Sequence, residues 1–359
     1  MELDAKDGKF AARLIAWQRR HGRHGLPWQG TKDAYRIWLS EIMLQQTQVG
    51  TVIPYYLAFL ERFPDVASLA ASDVDSVLRL WSGLGYYSRA RNLHRAACEV
   101  VVRHGGTFPH DRETLESLPG VGRSTAAAIA AFAHGAREAI LDGNVKRVLA
   151  RHFAVAGYPG EAKVALRLWT IAEAVLPSQG IATYTQALMD LGATVCSRTP
   201  ACERCPVHDT CQARAQGNVA AYPGTRQRKA VPVRATRMLL LFHQGRLLLE
   251  KRPPSGVWGG LWSFPEVSMD EDVASVCEAR FGLVVDAITP LSALKHSFTH
   301  FTLNIHPVQC RVRADRRVAD SAATQWMDPD HAAMEAVPVP VKKLLVRLKA
   351  ESGEAADRQ

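Results

Sequence analysis

Two carboxylates and a group of four thiols stand out as residues able to do chemistry. Glu41 lies in Trp38-Leu39-Ser40-Glu41-Ile42-Met43-Leu44 and is followed by Gln45, Gln46, Thr47 and Gln48. A single glutamate on a helix is ordinarily a solvated side chain. Here Ile42, Met43 and Leu44 argue for partial burial, which raises a carboxyl pKa and lets the group hold a proton near neutrality. Asp142 stands in Ile140-Leu141-Asp142-Gly143-Asn144-Val145-Lys146-Arg147, where a loop enters a helix, and its plain role there is an N-cap. If both carboxylates face one surface, one protonated and one charged acid flank a single site. Cys196, Cys202, Cys205 and Cys211 are separated by five, two and five residues. In a reducing compartment they read as a zinc or iron–sulfur site rather than as disulfides, and spacing alone does not choose between the metals. The other three of the seven cysteines, Cys98, Cys277 and Cys310, are scattered and read as small buried residues.

The elements that must position these groups centre on Leu118-Pro119-Gly120-Val121-Gly122-Arg123-Ser124-Thr125, followed by Ala126-Ala127-Ala128-Ile129-Ala130. Gly120 and Gly122 permit a tight turn, and the free amides of the helix that follows suit a phosphate oxygen. The spacing predicts a helix–hairpin–helix of the kind that holds a DNA backbone, facing the same surface as Glu41. A second glycine-flexed turn, Gly83-Leu84-Gly85-Tyr86-Tyr87-Ser88-Arg89-Ala90-Arg91, offers arginines for phosphates and an aromatic ring for stacking or wedging. Ser72-Asp73-Val74-Asp75 reads as a helix start before Val77, Leu78, Leu80 and Trp81.

The periodicity is helical to about residue 215, with Phe10, Leu14 and Trp17 on one stripe and Ile37, Leu44 and Val52 on another. Residues 217–234 lack periodicity and carry Arg226, Arg228, Lys229 and Arg234 without an acid, a basic linker able to run along DNA. Beyond it, Met238–Phe242 and Leu247–Leu249 around His243-Gln244-Gly245 predict a hairpin of buried strands. Phe301, Leu303 and Ile305 alternate as in a half-buried strand, and helices are expected near 271–281 and 339–349. The organisation expected is therefore an all-α domain over 1–216, the linker 217–234, a smaller α/β domain over 235–350 and a disordered tail over 351–359. With 359 residues, 47% of them hydrophobic, the chain can bury two cores. The absence of a membrane-length apolar run and of a leader pattern implies a cytoplasmic protein without membrane association, and the formal charge of +9 suits a polyanionic partner.

Taken together, Leu39-Ser40-Glu41-Ile42-Met43-Leu44-Gln45-Gln46-Thr47, Leu118-Pro119-Gly120-Val121-Gly122, Leu141-Asp142-Gly143-Asn144-Val145 and the four cysteines closely resemble the MutY-type adenine DNA glycosylases of the endonuclease III-like helix–hairpin–helix superfamily. The resemblance runs in order from about residue 10 to 212 and extends to Gly259-Gly260-Leu261-Trp262-Ser263-Phe264-Pro265 and Phe298-Thr299-His300. It implies a monomeric enzyme that removes adenine opposite 8-oxoguanine or guanine in double-stranded DNA. It also implies Glu41 as the acid, Asp142 as the cation-stabilising carboxylate, Asn144 in support, and Tyr86 as a wedge beside the lesion. Gln45, Gln46, Thr47, Arg89, Arg91, Gly120, Gly122, Ser124 and Lys146 are then expected on DNA, Phe298, Thr299 and His300 on the lesion, and the cysteines on a [4Fe-4S] cluster. Two positions depart from the pattern. Five residues separate Cys196 from Cys202 where the family usually has six, and Thr299 replaces the common serine.

Three rival readings are weighed on the same residues. An endonuclease III-like lyase needs a lysine directly after the hairpin's basic residue, and Ser124 stands there, although Lys146 lies one turn beyond Asp142. The C-terminal domain resembles a Nudix fold, but after Gly260 and Glu266 its diphosphate-hydrolysis box is broken by Ala274, Ser275 and Ala279. A non-catalytic damage-binding protein need not keep both Glu41 and Asp142.

Overall fold

The computed structural model describes residues 7–226, 230–314 and 323–356. The chain forms two compact units, Met1–Ala71 with Asn92–Arg228, and Ser72–Arg91 with Lys229–Gln359.

In chain order the first helices are α1 (Asp7–His21), α2 (Ala34–Leu44), α3 (Val49–Arg62), α4 (Val66–Ala70), α5 (Val74–Trp81) and α6 (Tyr87–His104). They are followed by α7 (Arg112–Ser117), α8 (Arg123–Ile129), α9 (Gly143–His152), α10 (Ala162–Ala174), α11 (Ile181–Thr194) and α12 (Gln212–Ala215). Aspartate starts many of them. Asp33, Asp65, Asp73, Asp111 and Asp142 each turn a carboxylate back onto an amide of the first turn, satisfying donors that the helix leaves open. The first unit is all-α among its described residues. One core region holds the fully buried Trp38, Tyr56, Phe59 and Phe63. Another gathers Leu14, Ile140, Val145, Leu149, Leu168, Tyr184 and Leu191 from α1, α9, α10, α11 and the loop that leads to Asp142. The alanines Ala126, Ala127 and Ala128 are wholly buried in α8, and α8 packs closely on α2 because their side chains are short. After Ile129 the helix widens into a π segment, Ala130–His134, ended by Gly135 in the left-handed region.

The second unit contains an eight-stranded sheet of β1 (Val233–His243), β2 (Arg246–Lys251), β3 (Trp262–Ser263), β4 (Glu266–Val267), β5 (Leu283–Pro290), β6 (Leu294–Ser297), β7 (Thr302–Ala314) and β8 (Thr324–Met327). Its main path is β3-β2-β1-β7-β5, with β1 and β7 parallel and the other pairs antiparallel. The β1–β2 hairpin turns through Gln244 and Gly245, both at positive φ, as a two-residue turn between twisted strands requires. Helix α13 (Val273–Phe281) covers β5, and α14 (Pro329–Met334) and α15 (Val339–Ala356) follow the sheet. Leu239, Leu241, Leu248, Cys277, Leu283 and Cys310 form its core, and Trp258, Trp262 and Phe264 are also buried.

Three expectations change. Residues 72–91 belong with the C-terminal unit, tied there by Lys251 on Asp75, Arg79 on Glu335 and the Ser82 hydroxyl on Val337 O. The start of the expected linker is ordered: Val219–Ala221 make a 3-10 turn, Tyr222 O accepts from Arg151, and Gly224 N donates to Gly157 O. Arg234 is already in β1, its guanidinium over the Phe301 ring, while Arg228 and Lys229 lie outside the described residues. Finally, α15 continues through residues 351–356 of the expected tail, and 357–359 lie outside the description. No helix among the described residues is long and apolar enough to cross a membrane.

Candidate active site

Glu41 occupies the last turn of α2 and opens into a cavity of about 330 Å³ in the first unit. The walls include Leu26, Trp28, Leu44, Phe132 and Met189, with Gln18, Arg23, Ser40 and Gln186 as polar groups. Burial pushes the Glu41 carboxyl up to about 8, and the nearby charge of Asp142 adds to the rise. Burial also raises Asp142, but the amides of Val145 and Asn144 and the cation of Arg147 oppose that rise. Nothing opposes the rise of Glu41, whereas Asp142 has donors that favour its carboxylate form.

Asp142 is the N-cap of α9, its Oδ1 accepting from Val145 N at 2.7 Å. The plain and the chemical roles coexist, since capping leaves Oδ2 within 3.5 Å of the Asn144 amide. Asn144 Oδ1 accepts from Arg147 at 2.8 Å, and the same guanidinium reaches Gly192 O at 2.6 Å and Cys196 O at 2.7 Å. Gly192 has no alternative here. A Cβ on it would stand 2.5 Å from Asn144 Cβ. Gly192→Ala is expected to cost about 1–3 kcal/mol of stability through overpacking and to slow the reaction by displacing Asn144; thermal melting beside rate measurements checks it.

The hairpin comes to Glu41 through Gln45. Its Nε2 lies 3.4 Å from both Gly120 O and Thr125 Oγ1. Gln45–Gln48 form the turn between α2 and α3, with Gln46 exposed at φ 57° and Thr47 folded back on Gln45 O. Gly120 has φ 78°, and a Cβ there would be 2.9 Å from Asn92 Cβ, so glycine is required on two counts. Gly122 is exposed and starts α8 without a side-chain cap. The Ser124 hydroxyl accepts from Leu141 N at 3.0 Å, fixing the backbone that delivers Asp142. Lys146 is half-exposed one turn along α9.

Several residues that shape the cavity went unrecognised in the sequence. The Asp190 carboxylate is fully buried, accepts Arg23 N at 2.9 Å and Arg23 Nε at 2.7 Å, and receives Gln186 Nε2 at 2.9 Å. The Gln186–Asp190 spacing of four among the apolar residues of α11 was the available signal.

All four clustered cysteines line one small cavity of about 30 Å³ with Arg151, Pro200 and His208. Arg151 is buried and donates to Ser197 O at 2.6 Å and towards Cys196 Sγ at 3.4 Å. Burial, opposed by an amide and reinforced by the sulfurs of Cys196, Cys211 and Cys202, pushes the Cys205 thiol up to about 12. Among the described residues no three His, Cys, Asp or Glu side chains are grouped as ligands of a metal ion.

In the second unit a cavity of about 660 Å³ is lined by Tyr86, Arg91, Trp258, His296, Phe298, Thr299 and His300 among others. Phe298 stacks on Phe301 at 4.4 Å, leaving Thr299 and His300 exposed at the turn. The hydroxyls of Tyr86 and Thr299 are 3.3 Å apart. Arg91 gives one N–H to Gly259 O at 2.5 Å. Arg89 departs from expectation: it is 8% exposed, in contact with the Trp81 and Tyr86 rings, and points at the carbonyls of Leu84 and Gly85. A guanidinium used in this way is not presented to phosphates. Glu266 and Glu250, the acids near the broken hydrolase box, are paired with Arg252 and Arg280 at 2.5 and 2.7 Å.

Residues 39–174 match the HhH-GPD superfamily of base excision DNA repair proteins, and residues 237–347 match the NUDIX domain. The chain is 35% identical over 342 residues to an adenine DNA glycosylase of Buchnera aphidicola subsp. Baizongia pistaciae, covering 95% of this chain and 97% of that one. It is 32% identical to the adenine DNA glycosylase of Homo sapiens, covering 93% and 73%. Among solved structures, a thermostable thymine-DNA glycosylase aligns with a TM-score of 0.54 and 29% identity over 59% of this chain and 97% of that one.

Proposed function

The chain belongs to the adenine DNA glycosylases, and from that premise we propose that it hydrolyses the N-glycosidic bond of adenine paired with 8-oxoguanine or guanine, using Glu41 as acid and Asp142 as electrostatic stabiliser. The observation that carries this reading is the pairing of Glu41, raised to about 8, with an Asp142 held by backbone amides. Adenine is a poor anionic leaving group. Protonation at N7 by Glu41 lets it depart neutral, while the charge on Asp142 offsets the positive sugar, and water completes the hydrolysis. The adenine must first leave the stack, which costs a few kcal/mol and costs less at a mispair. Asn144 supports Asp142. Gln45, Gln46, Thr47, the Gly120–Gly122 turn and Lys146 are read as the contacts to the DNA strand whose adenine enters the Glu41 cavity. Tyr86 is read as the wedge, with Phe298, Thr299 and His300 reading the lesion. The protein is proposed to act as a monomer on chromosomal DNA in the cytoplasm.

The four thiols suit a [4Fe-4S] cluster: they converge on one cavity, and neutral thiols crowded together ionise when iron supplies compensating charge. Cys196, Cys202, Cys205 and Cys211 would hold it, and when bound it would cross-link a loop that Arg147 and Arg151 already tie to α9.

Single-turnover release of adenine from duplexes bearing adenine opposite 8-oxoguanine, guanine or thymine tests the reading. Release is expected to be fastest opposite 8-oxoguanine, slower opposite guanine and absent opposite thymine. Because Ser124 has no amine and is bonded to Leu141, strand nicks are expected only after alkali; nicking without alkali would show that another amine, foremost Lys146, acts as a nucleophile.

A further inference from the structure

The turn carrying Tyr86 is held in an unusual state. Tyr86 has φ 48°, a region that side-chain-bearing residues adopt rarely, and the residue is 46% exposed. It is flanked by Gly83 and Gly85, also at positive φ. Around it Trp81 Nε1 donates to Gly85 O at 3.0 Å, and the Tyr87 hydroxyl receives Gly83 N at 3.2 Å. Arg89 N donates to Tyr86 O at 2.8 Å. The Arg89 guanidinium carbon lies 5.4 Å from the Trp81 ring centre and 5.3 Å from that of Tyr86.

Resting on the reading of Tyr86 as the wedge, we propose that Arg89 is a positioning residue for lesion discrimination, clamping the Tyr86 ring against the Trp81 turn so that it stands beside Thr299 at the cavity rim. The planar guanidinium is suited to this because it meets aromatic faces and turns its edge towards the carbonyls of Leu84 and Gly85 at 3.5 and 3.4 Å. An ammonium is a point charge and reproduces only part of that arrangement. Burial draws the guanidinium down to about 10, which leaves it cationic at neutral pH.

The test is the ratio of single-turnover rates for adenine opposite 8-oxoguanine and opposite guanine, per active site titrated from the burst amplitude. It is measured for the full chain and for Arg89→Met, Arg89→Lys, Tyr86→Leu and the Arg89→Met/Tyr86→Leu double variant. Arg89→Met is expected to lower the ratio roughly tenfold, Arg89→Lys less, and the double variant no further than Tyr86→Leu alone. A ratio unchanged in Arg89→Met while Tyr86→Leu loses it overturns the clamp and spares the wedge. A loss in Arg89→Met that adds fully to that of Tyr86→Leu overturns the clamp too, because Arg89 then acts elsewhere. A ratio unchanged in Tyr86→Leu overturns the wedge, and the clamp with it.

Discussion

Glu41→Gln is expected to slow adenine release by roughly 10²- to 10⁴-fold, the range for loss of a general acid, with DNA affinity changed by no more than a few-fold. Glutamine preserves the shape and one hydrogen-bond donor at the mouth of the cavity but has no proton to transfer. In the parent protein the acid form is the active one, so the rate measured at limiting protein is expected to decline as pH rises through about 8. The glutamine variant has no such limb. The parent's stability also declines with rising pH, over a lower window than its rate. Below the unfolded value of 4.5 both states carry the proton, and Glu41 adds no pH dependence. Between 4.5 and about 8 the unfolded chain ionises while the folded chain does not, so folding becomes progressively less favourable. At pH 7 the deficit is about 3 kcal/mol. Glu41→Gln should therefore unfold at higher denaturant than the parent at pH 7 and near the same concentration at pH 4. A variant that released adenine at the parent rate would remove Glu41 from the chemistry.

Asp142→Asn separates the two roles of a single carboxylate. Asparagine caps a helix as well as aspartate does, so α9 should keep its N-terminus, and removal of a carboxyl that burial raises should not lower stability at pH 7. The negative charge is gone, and the rate is expected to fall roughly 10²- to 10³-fold. Asp142→Ala should lose the same rate and, in addition, about 1 kcal/mol of stability with the cap. The asparagine variant also removes the charge that helps to raise Glu41, so the high-pH limb of its residual activity should shift to lower pH. If Asp142→Asn retained full activity, Asp142 would be a cap and nothing more. Rates from single turnovers and denaturation curves on the same preparations decide this.

Much of this site was legible because its parts are local. The capping role of Asp142 follows from the loop-to-helix pattern, the burial of Glu41 from Ile42, Met43 and Leu44, and the Gly120 turn from two glycines after proline. What sequence could not express is the fate of long side chains. Arg89 and Arg91 look alike in a basic stretch, yet Arg89 is enclosed by Trp81 and Tyr86 while Arg91 reaches Gly259, 168 positions away. Asp190 showed only its spacing of four from Gln186, because its main partner, Arg23, is 167 positions distant. The backbone partners at the start of the linker were out of reach of the sequence for a different reason. Low periodicity excludes a stripe, but it does not exclude backbone groups such as Tyr222 O and Gly224 N from finding partners on a preformed surface. The Glu250–Arg280 and Glu266–Arg252 pairs likewise depend on strands and helices meeting.

The membership of residues 72–91 in the second unit has a consequence for anyone who divides this gene. A boundary drawn in the basic stretch after residue 216 looks natural, yet it separates Tyr86 from Thr299, Asp75 from Lys251 and Arg79 from Glu335. An amino-terminal fragment would carry the tyrosine without its threonine, and a carboxy-terminal fragment the reverse. Interchange of C-terminal halves between relatives would meet the same obstacle unless the twenty-residue excursion at 72–91 travelled with them. The heritable module is thus two pieces of text, and a chimera respecting only one of them inherits half an instrument.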